Sequence, residues 1–231
     1  MIMNSQERIN IFDETLAIVE DAGYRIAGKR LDLHSTSETR KAVYVSGKEV
    51  LDLIDNPRRT VPFSMGGRCS FSVENMDTLE CAQQESVSDF KQLRNNKKPA
   101  LVLNFANPFT PGDSVMKGAR AQEGELCRRS TLYASLTSDA ARGFYSDNKA
   151  EGGNAFTHGA IISPCVDVFR NVDGSLMEDP FTVAVITMAA PFAPGLKELG
   201  DVVISQILRT RIEGMLQLAV EHGYDFLVLG A

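Results

Sequence analysis

Two short apolar runs constrain the fold of this chain more than any other feature of its sequence. Residues 100–105 read ALVLNF, with Asn104 as the one polar residue, and residues 226–229 read FLVL. Strands that are covered on both faces carry continuous apolar runs, whereas strands with one wet face alternate apolar and polar residues. The two runs therefore predict buried strands inside a layered domain.

Helical patterns alternate with the predicted strands. A first helix is predicted over residues 4–22, because Asn4 and Glu7 have capping-box spacing and Gly23 stands where a helix stop is expected. A second pattern begins at Thr78, which is expected to cap it. The other predicted helices cover 47–55, 78–93, 119–136 and 201–222, and the predicted strands cover 24–33, 42–46, 69–73, 100–105, 160–162, 166–169, 182–187 and 226–229. Such alternation predicts an α/β domain with a mostly parallel or mixed central sheet.

Composition excludes several classes of protein. The 231 residues are 23% charged and 43% hydrophobic, which is typical of a folded domain, and 24 basic against 30 acidic residues give a net charge of −6. An acidic chain is unsuited to coating nucleic acid, so we expect no direct nucleic-acid binding. We see no apolar stretch of membrane-spanning length and no signal peptide, and we expect a cytoplasmic protein without membrane contact. The cysteines and histidines show no zinc spacing, so we predict no metal and no cofactor.

The segment most informative about chemistry runs from residue 103 to residue 130. It leaves a predicted buried strand, passes Asn104 and Asn107, turns at Gly112 and enters the next predicted helix. Ligands of α/β sheets bind at the carboxyl ends of strands, and a glycine turn before a helix exposes N–H groups to anions. An anion site is one interpretation, and an ordinary connecting loop is the other. The two asparagines either bind a ribose or tie the loop together.

Two carboxylates stand at the start of that helix. Acidic residues such as Glu123 and Glu125 interact favourably with the helix dipole in the first turn, which is a purely structural role. Alternatively, one of them projects into the cleft as a general acid/base.

At this point the residues carry a resemblance. ALVLNFANPFTPG (100–112) and GARAQEGELCRRSTLYASL (118–136) resemble the microbial-type poly(ADP-ribose) glycohydrolase family, which is related to macrodomains. The segments DETLAIVE, ISPCVDVFRNVDG, VAVITMAAP and EHGYDFLVLGA also follow the family's order. The resemblance implies a three-layer α/β/α macrodomain-like fold with a mixed central sheet. It implies an N-terminal helical extension at 1–60 packed on the core and an ADP-ribose-binding domain at 61–231. In the family the ribose–ribose O-glycosidic bond of poly(ADP-ribose) is hydrolysed without a metal, so the implied partner is ADP-ribose or an ADP-ribosylated protein.

The resemblance also implies roles for the loop residues. The family's triple glycine, which lets the backbone approach the diphosphate, matches Gly112, Asp113 and Ser114. These three residues, with Asn104 and Asn107, are the implied ligand-binding set of the loop. The side chains of Asp113 and Ser114 depart from the pattern, and the negative charge of Asp113 is expected to weaken ADP-ribose binding.

The second family signature, Gln-Glu-Glu, differs in this chain at the position of its catalytic glutamate. The family's Gln-Glu-Glu matches Gln122, Glu123 and Gly124, so a glycine stands where the family has its general acid/base. Gln122 is an implied ligand-binding residue, and Glu123 or Glu125 is the candidate replacement for the missing catalytic carboxylate. We expect an impaired glycohydrolase; the alternatives are a non-catalytic ADP-ribose-binding module and a degenerate member with another ligand. We also expect the domain at 61–231 to end before the family's glycine-rich diphosphate loop.

Overall fold

A computed structural model describes residues 3–34, 41–59, 70–87 and 98–230. The strands of these residues are β1 (Gly23–Ile26), β2 (Lys29–Asp32), β3 (Val43–Val45), β4 (Leu101–Phe105), β5 (Ala160–Arg170), β6 (Leu176–Met188) and β7 (Leu227–Val228). Their α-helices are α1 (Ser5–Glu20), α2 (Gly47–Asp55), α3 (Thr78–Val87), α4 (Gln122–Arg129), α5 (Leu132–Leu136), α6 (Arg142–Glu151) and α7 (Gly200–Glu221). Short 3-10 helices cover Val115–Lys117, Asp139–Ala141 and Ala193–Leu199. Within the described ranges, no helix combines the length and apolar character that crossing a membrane requires.

Five strands form a mixed central sheet in the order β3-β5-β6-β4-β7. β4 runs parallel to β6 and β7, while β5 runs antiparallel to β3 and β6. β1 and β2 form a separate antiparallel hairpin. The prediction of a mixed sheet is confirmed, and the buried run at 100–105 is one of its inner strands.

Helices cover both faces of this sheet. Because successive side chains of a strand point to opposite faces, Leu101 of β4 packs in the core beneath α2 and α7, and Val102 packs in the core of the other face. Ile186 and Val185 of β6 divide in the same way. The second face is covered by α1, α3, α4, α5 and α6, whose apolar residues share one cluster. The predicted three-layer α/β/α fold is therefore confirmed.

The first sixty residues contribute to every layer. Phe12 of α1 is 1% exposed and meets the ring of Tyr133 edge-on at 5.1 Å. β3 extends the central sheet, and α2 packs against α7. The division into an extension at 1–60 and a domain at 61–231 stays a prediction, because residues 60–69 lie outside the described residues.

The single helix predicted over 119–136 is wrong. The chain forms α4 and α5 instead, and between them Ser130 is extended and bridges to Val168 of β5. The Ser130 hydroxyl donates to the Leu126 carbonyl and accepts the Leu132 N–H, so local side-chain bonds compete with the helix. Helix α6 was not predicted from the sequence.

The predictions around the first helix need two corrections. Residues 24–33 form the β1–β2 hairpin instead of one strand, because Ala27 and Gly28 turn the chain with φ of 47° and 79°. The helix stop lies one residue before Gly23, at Ala22 with φ of 50°, and Gly23 opens β1.

The strand and the helix cap predicted between residues 69 and 78 also need correction. Residues 70–73 form no strand, and residue 69 lies outside the described residues. Asp77, instead of Thr78, caps α3, since its carboxylate accepts the N–H groups of Leu79 and Glu80 at 2.8 and 3.0 Å. The predicted end of this helix, 88–93, also lies outside the described residues.

Packing of α7 on α2 depends on a glycine, and this gives a first prediction. A Cβ built at Gly214 would collide with Cγ1 of Val50, which is completely buried. Overpacking of this kind costs about 1–3 kcal/mol, so Gly214→Ala should lower the free energy of unfolding by that amount in a urea titration. The same substitution should cost less free energy of unfolding in a Val50→Ala protein, because the removal of Cγ1 makes room for the new methyl group. If the changes in the free energy of unfolding caused by Gly214→Ala and Val50→Ala simply added in the double variant, the proposed collision would be wrong.

Candidate active site

The candidate site lies at the carboxyl end of β4, where residues 106–121 cross to α4. The 3-10 helix in this loop ends at Gly118, which has φ of 71°. Nε of Arg8 on α1 donates to the Gly118 carbonyl at 2.6 Å, and a Cβ at Gly118 would collide with the Ser5 carbonyl oxygen. Helix α1 therefore holds the returning loop, and only glycine suits both the backbone angle and the close approach.

Gln122 joins the start of α4 to the edge of β4. Its side-chain oxygen accepts the Phe105 N–H at 3.0 Å, and its side-chain nitrogen donates to the Leu103 carbonyl at 2.8 Å. These groups lie on the edge that faces β7, and β7 pairs only with Leu101 and Val102. The Gln122 amide thus continues the hydrogen-bond ladder beyond the end of β7. Both ends of the amide are occupied by backbone, which is a positioning role that the sequence pattern did not indicate.

Glu123 is the buried carboxylate of the site, with 1% of its surface exposed. Its Oε1 accepts from Nδ2 of Asn104 at 3.2 Å, and its Oε2 accepts the backbone N–H of Asn107 at 2.9 Å. The Asn104 amide also donates to the Thr187 hydroxyl at 3.1 Å. The side chain of Glu123 therefore ties α4 to β4 and to the loop after β4, and Asn104 extends the network to β6.

Burial has a chemical consequence for this carboxylate. Desolvation raises the pKa of Glu123 to about 7 from its ordinary value of 4.5. Hydrogen bonds from Asn107, Asn104 and the Gly112 backbone oppose this rise in pKa, and the nearby charge of Asp113 adds to it. A carboxyl group with a pKa near neutrality can hold or release a proton at working pH, which suits a general acid/base.

The side chain of Asn107 ties the loop together, as one of the two interpretations predicted. Its Oδ1 accepts the N–H groups of Phe109 and Thr110 at 2.9 and 3.0 Å, and its Nδ2 donates to Oδ1 of Asp113 at 2.8 Å. Asp113 has φ of 52°, in the left-handed region that favours glycine. Its carboxylate is therefore drawn toward Asn107.

The neighbours of Asp113 shape the turn itself. Gly112 has φ of 71°, and a Cβ there would lie 2.9 Å from Cγ1 of Val115. The Ser114 carbonyl accepts the N–H groups of Lys117 and Ala119 at 2.9 and 3.2 Å. Of the three glycines in the family signature, this chain keeps Gly112, whose positive φ favours glycine.

Gly124 and Glu125 point away from the Glu123 network. A Cβ at Gly124 would lie 3.4 Å from Nη1 of Arg128, which is an ordinary contact, so a side chain fits there. Arg128 is 1% exposed, and its Nε and Nη1 have no hydrogen-bond partner. Its Nη2 pairs with the Glu125 carboxylate at 2.7 Å.

A cleft of about 620 Å³ opens beside α4. Glu125 and Gln122 line it together with the cations Arg120 and Arg129, and Phe105 lies at the end of β4. Glu125, with 34% of its side chain exposed, is therefore accessible from this cleft. Glu123 does not line this cleft.

The fold assembles most of the predicted site residues and adds one that sequence reasoning missed. Asn104, Asn107, Asp113 and Glu123 form one hydrogen-bonded network, and Glu125 lies apart from it. Thr187 joins the network from β6, 83 positions away from Asn104 in the sequence. Its strand carries no polar pattern that marks it, so only the β4–β6 register reveals it.

A layered sheet with a glycine turn, a buried carboxylate and paired amides at a strand end defines a macrodomain-like ligand-binding protein. The sequence profile described as "Microbial-type PARG, catalytic domain" matches residues 13–171. The chain therefore belongs to the microbial-type poly(ADP-ribose) glycohydrolase family, and its function is poly(ADP-ribose) glycohydrolase-like. A comparison with curated proteins found no match.

Solved structures agree with this family. Poly(ADP-ribose) glycohydrolase from Thermomonospora curvata is 30% identical and has a TM-score of 0.85, covering 98% of this chain and 80% of its own. The same enzyme bound to the inhibitor ADP-HPD is 28% identical, with a TM-score of 0.80 and coverages of 96% and 77%. Poly(ADP-ribose) glycohydrolase from Deinococcus radiodurans in complex with ADP-ribose is 29% identical, with a TM-score of 0.70 and coverages of 87% and 77%.

The raised pKa of Glu123 predicts how stability depends on pH. Because the folded protein holds this proton more tightly than the unfolded chain, stability should fall as pH rises from about 4.5 to about 7 and then level off. The loss is at most about 3 kcal/mol, at 1.36 kcal/mol for each pKa unit. Glu123→Gln should flatten this part of the pH curve in urea titrations.

Glu125→Gln is the matched control, because it removes a half-exposed carboxylate from the same helix. It should keep the wild-type slope between these pH values. Parallel curves for wild type and Glu123→Gln would contradict a strongly raised pKa.

Proposed function

We propose that this chain binds ADP-ribose groups and hydrolyses ribose–ribose O-glycosidic bonds at a rate reduced by Gly124. The observation that carries the proposal is the Glu123 network, which preserves a buried carboxyl group with near-neutral pKa at the strand end of a family fold. Solved relatives bind ADP-ribose or ADP-HPD on the same fold, which supports ADP-ribose as the ligand.

Binding has support from the charges of the cleft. The cations Arg8, Arg120 and Arg129 line it together with the carboxylates Asp77 and Glu125, and Arg129 pairs with Asp77 at 3.0 Å. The first turn of α4 adds the positive end of a helix dipole. A diphosphate is an anion that such a surface attracts. The family resemblance implies contacts of Asn104 and Asn107 with the terminal ribose and of Gly112, Asp113 and Ser114 with the diphosphate, and we propose these contacts for the loop after β4, although none of the five residues lines the cleft of Arg120. Gln122 is proposed to act indirectly, because its amide is bonded to β4.

We propose that Gly124 slows cleavage of the glycosidic bond and not the binding of ADP-ribose. Cleaving a glycosidic bond requires an acid that protonates the leaving oxygen while water attacks an oxocarbenium-like centre. Glu123 has a suitable pKa, but it is 1% exposed and both its oxygens accept hydrogen bonds. Glu125 has the access that Glu123 lacks, although it is paired with Arg128. We propose Glu123 and Glu125 as partial substitutes for the family's general acid/base.

A non-catalytic ADP-ribose-binding module is the second candidate. One observation favours it: the position of the family's catalytic carboxylate is a buried glycine, and the Cβ direction there leads to Arg128. In either case we propose a cytoplasmic protein whose partner is ADP-ribose or an ADP-ribosylated protein, with its binding domain at 61–231.

Restoring the missing carboxylate tests the proposed function. Gly124→Glu should raise the rate of ADP-ribose release from poly(ADP-ribose) by about 10²–10⁴-fold, the usual contribution of a general acid/base. A Cβ at this position makes ordinary contacts with Arg128 and with the Ala119 carbonyl oxygen.

Gly124→Gln is the matched control, because it has the same size without the acid. Equal rates for the two variants would show that the carboxylate is not what the site lacks. Wild-type turnover that is abolished by Glu123→Gln would favour the hydrolase. ADP-ribose binding in calorimetry without any turnover would favour the binding module, and absence of both would overturn the proposal.

The charge at position 113 gives a separate prediction. Asp113→Asn and Asp113→Gly should each strengthen ADP-ribose binding about tenfold, because both remove a negative charge near the diphosphate. Asparagine tolerates the left-handed backbone and glycine adopts it freely. Calorimetric titration checks this. A gain for glycine alone would assign the effect to backbone freedom, and no gain for either would place Asp113 away from the ligand.

A further inference from the structure

Three metal-binding residue types meet far from the candidate active site. His34 follows β2, while Cys165 and Asp167 belong to β5. One donor atom from each of the three side chains lies within 4.8 Å of the other two. Among the described residues, no other group of three His, Cys, Asp or Glu side chains comes together in this way.

The donor atoms are those that zinc prefers. Zinc binds imidazole nitrogen, thiolate sulfur and carboxylate oxygen at about 2.0–2.3 Å, in tetrahedral sites. Such bonds place the donors about 3.3–3.8 Å apart, so the observed cluster is within about 1 Å of the required spacing. Calcium and magnesium prefer oxygen donors alone, which argues against them here.

Asp167 is already held in place. Its Oδ2 accepts the backbone N–H of His34 at 2.6 Å, and its Oδ1 accepts the Thr182 hydroxyl at 2.9 Å. The backbone N–H of Asp167 donates to the Thr131 hydroxyl, and its carbonyl accepts the Thr131 N–H, both at 3.0 Å. Outer contacts of this kind orient metal ligands and raise affinity.

His34 supplies the adjustable part of the cluster. Its Nδ1 lies 2.7 Å from Oδ1 of Asp167, and 49% of its side chain is exposed. A metal ion binds thiolate and unprotonated imidazole nitrogen, so its binding would release the thiol proton of Cys165, and any proton on Nδ1 of His34, to water. The exposed imidazole can move outward by the fraction of an ångström that this requires. The open side leaves a fourth position for water.

The geometry points to a zinc site formed by His34, Cys165 and Asp167, with one coordination position open. This site lies apart from the Glu123 network. Asp167 pairs with Thr182 on β6, whereas the network touches Thr187 on the same strand. At about 3.4 Å for each residue, this is roughly 17 Å along the strand. The proposal therefore stands independently of ADP-ribose hydrolysis.

Metal titration of the reduced, metal-free full chain tests the site. Cobalt(II) is the spectroscopic probe, because a thiolate ligand produces a charge-transfer band that zinc then abolishes by displacement. We expect one equivalent of cobalt to produce this band. Cys165→Ser should remove the band, and His34→Gln should weaken zinc binding by at least about tenfold in calorimetry.

The controls separate this site from other thiols and from misfolding. Cys81→Ser changes another half-buried thiol, on α3, and should keep the band and the zinc affinity. His34→Gln alters a half-exposed side chain, so its circular dichroism should match wild type. At equal zinc concentration, zinc should raise the melting temperature of wild type more than that of His34→Gln. Absence of the band in wild type, or its persistence in Cys165→Ser, would overturn the proposal.

Discussion

The attachment of α4 to the end of β4 is the interaction on which the site depends. The Gln122 amide bonds to the backbone of β4 beyond the end of β7, and the Glu123 carboxylate accepts a backbone N–H of the loop that follows β4. Without these bonds, backbone groups of β4 and of the loop would be left unpaired at a cost of about 1–3 kcal/mol each when buried. Two adjacent side chains thus convert an irregular loop into a defined surface.

This attachment links structure to chemistry and also limits it. Glu123 is buried where its hydrogen bonds join α4 to β4. This burial raises the pKa of Glu123 to about 7, a value that suits a general acid/base. The same burial withholds its oxygens from a substrate. Nε and Nη1 of the buried Arg128, one helical turn after Gly124, have no hydrogen-bond partner. The molecule therefore keeps the fold of its family, and the resemblance predicts that Gly124 stands where that family has its catalytic acid.

Several elements could be predicted because their signals are local. The capping box of α1 is present as expected, with Asn4 and Glu7 bonded reciprocally, and the run at 100–105 contains the inner strand β4, which is buried except toward its exposed end at Phe105. Helix α2 has the predicted bounds. The break at Ser130 was missed, because the residues around it have a helical pattern. Pairing with Val168, which is distant in sequence, holds Ser130 extended.

The sequence by itself determined the layered α/β class, the strand-to-helix loop and the candidate residues in that loop, since periodicity, turn residues and motif spacing are local properties. The tertiary structure alone decided which of those residues meet. The β4–β6 register brings Thr187 to Asn104, and β5 carries Asp167 to His34. It also decided that Glu123 is buried while Glu125 reaches a cleft. The physical reason is that burial, and the pKa it sets, depend on neighbours supplied by distant segments.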